Sequence, residues 1–98
     1  MRRGTTPTLE FELEGVDLEE VQTAILTIRQ KYKNIINQEL TIDTDASVLY
    51  LTLTQQQTLM FEEGKCQIQI KVLFKDGSVG ATVIKNSTVE EIFNEEVL

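Results

Sequence analysis

The stretch that decides the fold is residues 65–74, Lys-Cys-Gln-Ile-Gln-Ile-Lys-Val-Leu-Phe. Apolar side chains recur at every second position, with Lys and Gln between them. Because side chains alternate between the two faces of a strand, this period predicts an antiparallel strand with one buried face. Asp76-Gly77 follows at once and predicts a tight hairpin turn, with a returning strand over 78–84. The predicted buried face consists of Cys66, Ile68, Ile70, Val72 and Phe74.

Two earlier segments predict strands of the same kind. Residues 9–14 alternate apolar side chains with glutamates, so a strand here presents a row of carboxylates that discourages pairing along its edge. Residues 48–53 read Val-Leu-Tyr-Leu-Thr-Leu and place three leucines on one face. We therefore expect an all-β, antiparallel sandwich.

The segment 18–36 is compatible with two interpretations. Its apolar residues fit the stripe of a helix for which Asp17 is an available N-cap. Against the helix stand its β-branched residues, whose stiff side chains favour a pleated surface, and the strands predicted around it. We predict two strands, at 21–30 and 34–40, with a turn at 31–33. The β-branched residues are Val21, Thr23, Ile25, Thr27 and Ile28.

Two short helices are predicted from capping signatures. Thr54 and Gln57 have the spacing of a capping box, which indicates one or two helical turns before the 65–74 strand. Thr88 and Glu91 repeat that signature, and Val89, with apolar residues after it, predicts a short C-terminal helix.

Size, composition and charge limit the class of protein. The 98 residues are expected to form a single domain, 1–98, in which 1–7 is a flexible basic arm. The net charge of −7 repels phosphate backbones and anionic lipid, so we expect neither nucleic acid nor a membrane as partner. Arg29, Lys31 and Lys33 recur at every second position and are interpreted as a solvated strand face.

The residue types that carry most enzyme chemistry are scarce. The chain has no His, and its one Cys, Cys66, lies on a predicted apolar face, so no imidazole or thiolate metal site and no nucleophile pair is expected. Asp43 and Asp45 could begin a calcium loop, but the Gly and the bidentate Glu that such a loop requires are missing. The glutamates lie in polar, solvated runs. We therefore predict no catalytic, metal or cofactor-binding residue, and no enzyme.

Three stretches resemble a known group of proteins. They are Arg2-Arg3-Gly4-Thr5-Thr6-Pro7-Thr8, then Leu53-Thr54-Gln55-Gln56-Gln57-Thr58-Leu59-Met60-Phe61, then Gln67-Ile68-Gln69-Ile70-Lys71-Val72 with Lys75-Asp76-Gly77. In this order they resemble small proteins encoded in the tail regions of phages and prophages of Firmicutes. That group is similar to the N-terminal domain of phage baseplate upper proteins.

The resemblance implies an immunoglobulin-like sandwich of about six or seven strands, with one short helical crossover, used as an attachment module. The sequence departs from the antibody pattern, because it has no Trp, no second Cys and no Tyr two residues before Cys66. Only the sandwich architecture is therefore carried over.

The expected function is a non-enzymatic structural or interaction module of a phage tail or baseplate. Its expected partners are other tail or baseplate proteins, with a homo-oligomer as a further expectation, and it is expected in the host cytoplasm during assembly and then in the virion. Arg2 and Arg3 are the candidate docking residues, although a frayed terminus explains them equally well. The alternative function is a carbohydrate- or host-surface-binding module, which requires exposed aromatic side chains.

Overall fold

A computed structural model describes residues 1–82 and 84–98. In these residues the chain forms eight β-strands, one α-helix and one 3-10 helix, which confirms the all-β prediction. Neither helix in the described residues is long and apolar enough to cross a bilayer. The strands are β1 Thr8–Phe11, β2 Val21–Gln30, β3 Lys33–Glu39, β4 Thr41–Asp43, β5 Val48–Thr52, β6 Gly64–Phe74, β7 Val79–Ala81 and β8 Lys85–Val89. The α-helix, α1, spans Gln55–Leu59 and the 3-10 helix spans Leu18–Glu20.

The strands form two antiparallel sheets. One sheet has the order β1-β5-β4, and the other has the order β3-β2-β6-β7, with β8 also paired to β6. Strand β6 has β2 on one edge, so β7 and β8 share its other edge: β7 pairs with residues 71–73 and β8 with residues 64–68. Together β7 and β8 act as one interrupted edge strand.

The core lies between the two sheets and is apolar. Leu26 and Ile28 from β2 and Leu49 from β5 are fully buried, as is Phe61, which follows α1. Removing this much apolar surface from water is the main favourable contribution to folding. The remaining buried hydrophobic residues are Leu18, Val21, Ala24, Ile36, Leu40, Leu51, Leu53, Cys66, Ile70, Val72 and Val89.

The two sheets are joined at a corner, where the chain passes from β3 to β4. Leu40 lies between β3 and β4, and its N–H still donates to the carbonyl of Ala24 in β2, at 2.8 Å. One residue later the chain enters β4 and pairs with β5 in the other sheet. The chain thus pairs with β2 before Leu40 and with β5 after it, and this passage joins the order β1-β5-β4 end to end with the order β3-β2-β6 and the β7–β8 edge. In the described residues, the strands leave an open side between β1 and the β7–β8 edge.

The strand interpretation of 18–36 is confirmed, since β2 and β3 fill most of it and the turn falls at Lys31 and Tyr32. The predicted N-cap is also used, but for the short 3-10 helix: the carboxylate of Asp17 accepts the N–H of Glu19 at 3.0 Å. That single turn ends where the β-branched run begins at Val21.

The two capping signatures have different outcomes. The first forms a complete capping box, in which Thr54 Oγ1 accepts the Gln57 N–H at 3.1 Å and Gln57 Oε1 accepts the Thr54 N–H at 2.9 Å. The second prediction is wrong, because Thr88 and Val89 belong to β8 and residues 90–98, all of them described, contain no helix. Thr88 pairs with Lys65 of β6, and this pairing buries Val89 in the core, which a short isolated helix would not do.

The returning strand predicted over 78–84 is shorter than expected. Gly77 has a φ of +89° and completes a three-residue hairpin turn, but β7 covers only Val79–Ala81. At Thr82 the side-chain hydroxyl accepts the N–H of Ile70 at 3.0 Å, in place of a backbone carbonyl. Position 83 of that prediction lies outside the described residues. Strand β4 was not predicted, and with β8 it brings the described strands to eight.

Candidate functional site

Arg2 and Arg3 lie on the chain's own C-terminal segment. Arg2 forms a parallel bridge with Glu90, in which Glu90 N–H donates to the Met1 carbonyl at 2.7 Å and Arg3 N–H donates to the Glu90 carbonyl at 3.1 Å. The Arg2 guanidinium also contacts the Glu90 carboxylate at 2.8 Å and the Glu91 carbonyl at 2.7 Å. The basic arm is therefore paired with an acidic segment of the same molecule.

Arg3 is the more deeply placed of the two arginines. Its guanidinium donates from Nε to the carbonyl of Phe61 at 2.5 Å and from Nη2 to the carbonyl of Leu59 at 3.2 Å, and it forms an ion pair with Glu95. Its side chain is only 19% exposed, compared with 53% for Arg2. Arg3 thus joins the arm to the end of α1, and its role toward a partner stays a prediction.

The rest of the arm continues these contacts with the segment around α1. The carbonyl of Thr5 accepts the hydroxyl of buried Thr58 at 2.8 Å, and the carbonyl of Pro7 accepts the N–H of Leu53 at 3.0 Å. Residues 2–8 and 53–61 therefore lie against each other along their lengths. A depression of about 580 Å³ lies between the arm and residues 88–94, beside the exposed ring of Phe93.

The open side between β1 and the β7–β8 edge holds two adjoining cavities, and we call this region the seam. One cavity, of about 420 Å³, extends toward Val16 and Phe74; the other, of about 350 Å³, extends toward Phe11 and Ile68. The two share four lining residues, so they form one groove. Its floor is apolar because residues that pack on the core from β1 and β6 remain only partly buried here. The shared residues are Glu12, Leu13, Thr82 and Lys85.

The backbone of β1 has unused hydrogen-bonding groups along the seam. Pro7 and Leu53 form a hydrogen-bonded pair, and in an antiparallel ladder such pairs alternate with pairs that form no hydrogen bond. In the register of β1 and β5, Leu9 and Phe11 therefore bond to β5, while Glu10 turns its N–H and C=O away from β5. In the described part of the chain β1 pairs with β5 alone.

The charge at the seam is predominantly negative. Glu10, Glu12 and Glu14 lie along its β1 side, and Lys85 is the basic residue among those that line the two cavities. All four side chains belong to exposed residues. The seam thus combines an apolar floor, free backbone groups and a row of carboxylates.

The β2–β3 hairpin tip is the second exposed feature. Lys31 and Tyr32 have positive φ values of 52° and 65°, which L-residues adopt at an energetic cost, and the Tyr32 ring is 96% exposed. A hydrogen bond from Lys31, together with its positive charge, lowers the pKa of Glu62. Arg29 and Lys33 flank this turn, so the basic residues predicted to form a solvated strand face surround the tip.

The remaining predicted features have structural roles. Cys66 is buried, as expected for a small hydrophobic residue, and burial raises the pKa of its thiol. Asp43 ends β4 and its carboxylate accepts the N–H of Ala46 at 3.1 Å, so residues 44–47 form the expected polar connection to β5. Residues 1–82 and 84–98 contain no group of three or more metal-ligating side chains.

Comparison of the chain with protein-family models, with curated proteins and with solved structures finds no match. The functional interpretation therefore depends on the geometry of the molecule and on the resemblance of its sequence stretches.

The seam was missed by sequence reasoning. The glutamate row was recognised as protection for an edge strand, but the sequence did not indicate which edges the two sheets leave open. The glutamate row was the feature of the sequence that could have indicated the seam. Charged side chains of this kind occur on strands whose outer edge is exposed to solvent.

Proposed function

We propose that this protein is a non-enzymatic structural and interaction module of a phage tail or baseplate. The observation that carries the proposal is the packing of the first two resembling stretches, 2–8 and 53–61. Hydrogen bonds join Arg3, Thr5 and Pro7 to residues within 53–61. The two resembling stretches therefore pack against each other in the fold.

The proposed sandwich is immunoglobulin-like. In that fold one sheet has the strand order A-B-E-D and the other contains C′-C-F-G. The order β1-β5-β4 corresponds to B-E-D, and β3-β2-β6 followed by β7–β8 corresponds to C′-C-F-G. Among the residues that the structure describes, strand A has no counterpart beside β1, although residues 1–3 run parallel to the chain at Glu90, just after β8. The strand order supports the proposal without the antibody core residues.

The proposed partners are other tail or baseplate proteins, and copies of this chain are a further candidate. Symmetric assemblies of this kind multiply modest interfaces by repetition. In this proposal the protein resides in the host cytoplasm during assembly and in the virion afterwards. Nucleic acid and membrane are not proposed partners, because the chain carries a net charge of −7.

Mass spectrometry of induced, purified particles tests the proposal. The prophage that encodes the chain is induced, particles and tail-assembly intermediates are separated on a density gradient, and the peptides of this protein are quantified against a known tail protein. We expect constant stoichiometry with tail proteins across the tail-containing fractions. Absence from both particles and intermediates, with the protein present in the lysate, contradicts the proposal.

Tyr32 favours a second candidate function, the binding of carbohydrate or of a host surface. Four of the six aromatic residues are buried or half-buried, as expected, but Tyr32 presents its whole ring at a conformationally strained turn. A glycan array with the wild-type protein and Tyr32→Ala tests this function, and Phe93→Ala is the matched control because its ring is equally exposed. Glycans that bind the wild type and Phe93→Ala but not Tyr32→Ala support the carbohydrate-binding function. An array on which the wild type binds no glycan contradicts it.

A further inference from the structure

We propose that the seam binds an extended segment of a partner protein, which adds a strand beside β1. The segment is basic at every second residue and apolar between. This inference names the contact surface of the interaction module and rests on that part of the proposed function. Its first support is the strand order: β1, β5 and β4 pair in one sheet, β3, β2, β6 and the β7–β8 edge pair in the other, and in the described residues no strand pairs with the second edge of β1.

The backbone of β1 supports strand addition. Glu10 directs its N–H and C=O toward the seam, because Leu9 and Phe11 use theirs on β5. An added antiparallel strand exchanges both hydrogen bonds with Glu10, and its residue opposite Glu10 lies on the same outer face. Main-chain bonds of this kind supply affinity, and the side chains then supply selectivity.

The alternation of the partner follows from the alternation of β1. Residues of the added strand opposite Leu9 and Phe11 point inward, on the side where Phe11, Ile68 and Ile70 line the cavity of about 350 Å³ and give it an apolar floor. Those positions therefore require apolar side chains. The alternating positions face Glu10, which lies between Leu9 and Phe11, and Glu12, which directly follows β1, and opposite charges on directly facing residues of two strands attract.

Charge also decides between a foreign segment and a second copy. If two copies paired along their β1 edges, the glutamate row of one would face the glutamate row of the other, which is destabilising. The whole chain adds to this repulsion, since its net charge is −7. Lys85 lies on the opposite side of the groove, but its one positive charge does not balance the three carboxylates of Glu10, Glu12 and Glu14.

The test uses the intact protein and a short capped peptide in which lysine and valine alternate. Binding is followed by nuclear magnetic resonance, as shifts and as hydrogen exchange of backbone amides. We expect the Glu10 amide to exchange at least about tenfold more slowly with saturating peptide. A peptide with glutamate for lysine, and one N-methylated on the amide that would donate to the Glu10 carbonyl, should both bind at least about tenfold more weakly.

Two double variants separate charge at the seam from charge in general. The double variant Glu10→Gln with Glu12→Gln should bind the lysine–valine peptide roughly 2- to 30-fold more weakly than the wild type. This is the range expected for two lost cross-strand charge pairs. The matched control is Glu19→Gln with Glu20→Gln, which removes two exposed carboxylates beside the 3-10 helix and should leave the affinity unchanged. All four positions are exposed, so we expect both variants to fold.

Three results overturn the proposal. They are the absence of any peptide-dependent change at Glu10, equal binding of the N-methylated peptide, and a concentration-dependent dimer of the free protein that itself protects the Glu10 amide. The last result assigns the seam to a second copy. Because the peptide assay uses isolated protein and the particle assay uses virions, failure of this inference and failure of the phage assignment are distinguishable.

Discussion

Replacing Arg3 with alanine should destabilise the protein far more than replacing Arg2. The Arg3 guanidinium donates to the carbonyls of Phe61 and Leu59, and its side chain is 19% exposed. A hydrogen bond from a charged donor contributes about 1.5–3 kcal/mol, and the exposed pair with Glu95 contributes about 0–1 kcal/mol. Water can reach part of the site after truncation, so we expect a loss of about 2 kcal/mol for Arg3→Ala.

Arg2→Ala is the matched control, because Arg2 has the same charge and a neighbouring place in the chain but is 53% exposed. We expect it to cost about 0.5 kcal/mol. The assay is urea unfolding followed by circular dichroism. With an m-value of about 1.5 kcal/mol/M, the midpoint of Arg3→Ala falls by about 1.3 M and that of Arg2→Ala by about 0.3 M. Equal midpoints for the two variants refute the reasoning and indicate a frayed arm.

Four further predictions concern other sites. Gln30→Ala should cost about 2 kcal/mol in urea unfolding, because the buried amide accepts the Glu62 N–H at 2.8 Å and donates to its carbonyl at 2.7 Å. Tyr32→Gly should raise the free energy of unfolding by about 1 kcal/mol, since glycine adopts a positive φ without strain. The Cys66 thiol should react with a disulfide reagent at least about a hundredfold faster in denaturing urea than in buffer, because it is buried and its pKa is raised. Lys31 lowers the pKa of Glu62, so the stability from this pair is present above the ordinary glutamate pKa and is lost as pH falls through the lowered value; Glu62→Gln should flatten that acid dependence.

Each of these four has its own control. Gln22→Ala alters an exposed glutamine of the same strand and should be nearly neutral, whereas an equal loss contradicts the role assigned to the buried amide. Tyr32→Ala keeps the strained backbone, so a gain equal to that of glycine indicates a side-chain effect. Rapid labelling of native Cys66 contradicts its burial. Glu63→Gln, at an exposed neighbouring carboxylate, should leave the acid dependence of the wild type intact.

The strands were predictable wherever local pattern and final burial agree. The alternation in 65–74 specifies β6 because its apolar face meets the core of the sandwich. The 21–30 strand required a choice between two patterns, and the β-branched side chains favoured the correct one. The capping signatures show the limit of this reasoning. Thr54 begins a helix whereas Thr88 pairs with Lys65, and nothing local to Thr88 reveals that a free edge of β6 lies beside it.

The seam could not be predicted from the sequence, because it depends on the order of strands that are distant in the chain. Glu10 belongs to β1 and Lys85 to β8, and they line one groove only because β1 and β8 form the two ends of the strand order. Local periodicity specifies which face of a strand is buried but not which neighbour stands at its edge. The sequence shows both the apolar residues of the floor and the row of carboxylates, but it does not show that the two lie beside each other in one groove.

The contacts of the N-terminal arm keep residues 1–7 out of the seam. Residues 1–3 run beside Glu90, one residue past β8, and form a single parallel bridge there. Hydrogen bonds from Arg3 and to Thr5 then hold the arm against the segment around α1. Pro7 is bonded to Leu53 and directly precedes β1. These contacts hold residues 1–7 away from the outer edge of β1. A strand added there must therefore come from outside residues 1–7, and the carboxylates on that edge select one with the opposite charge.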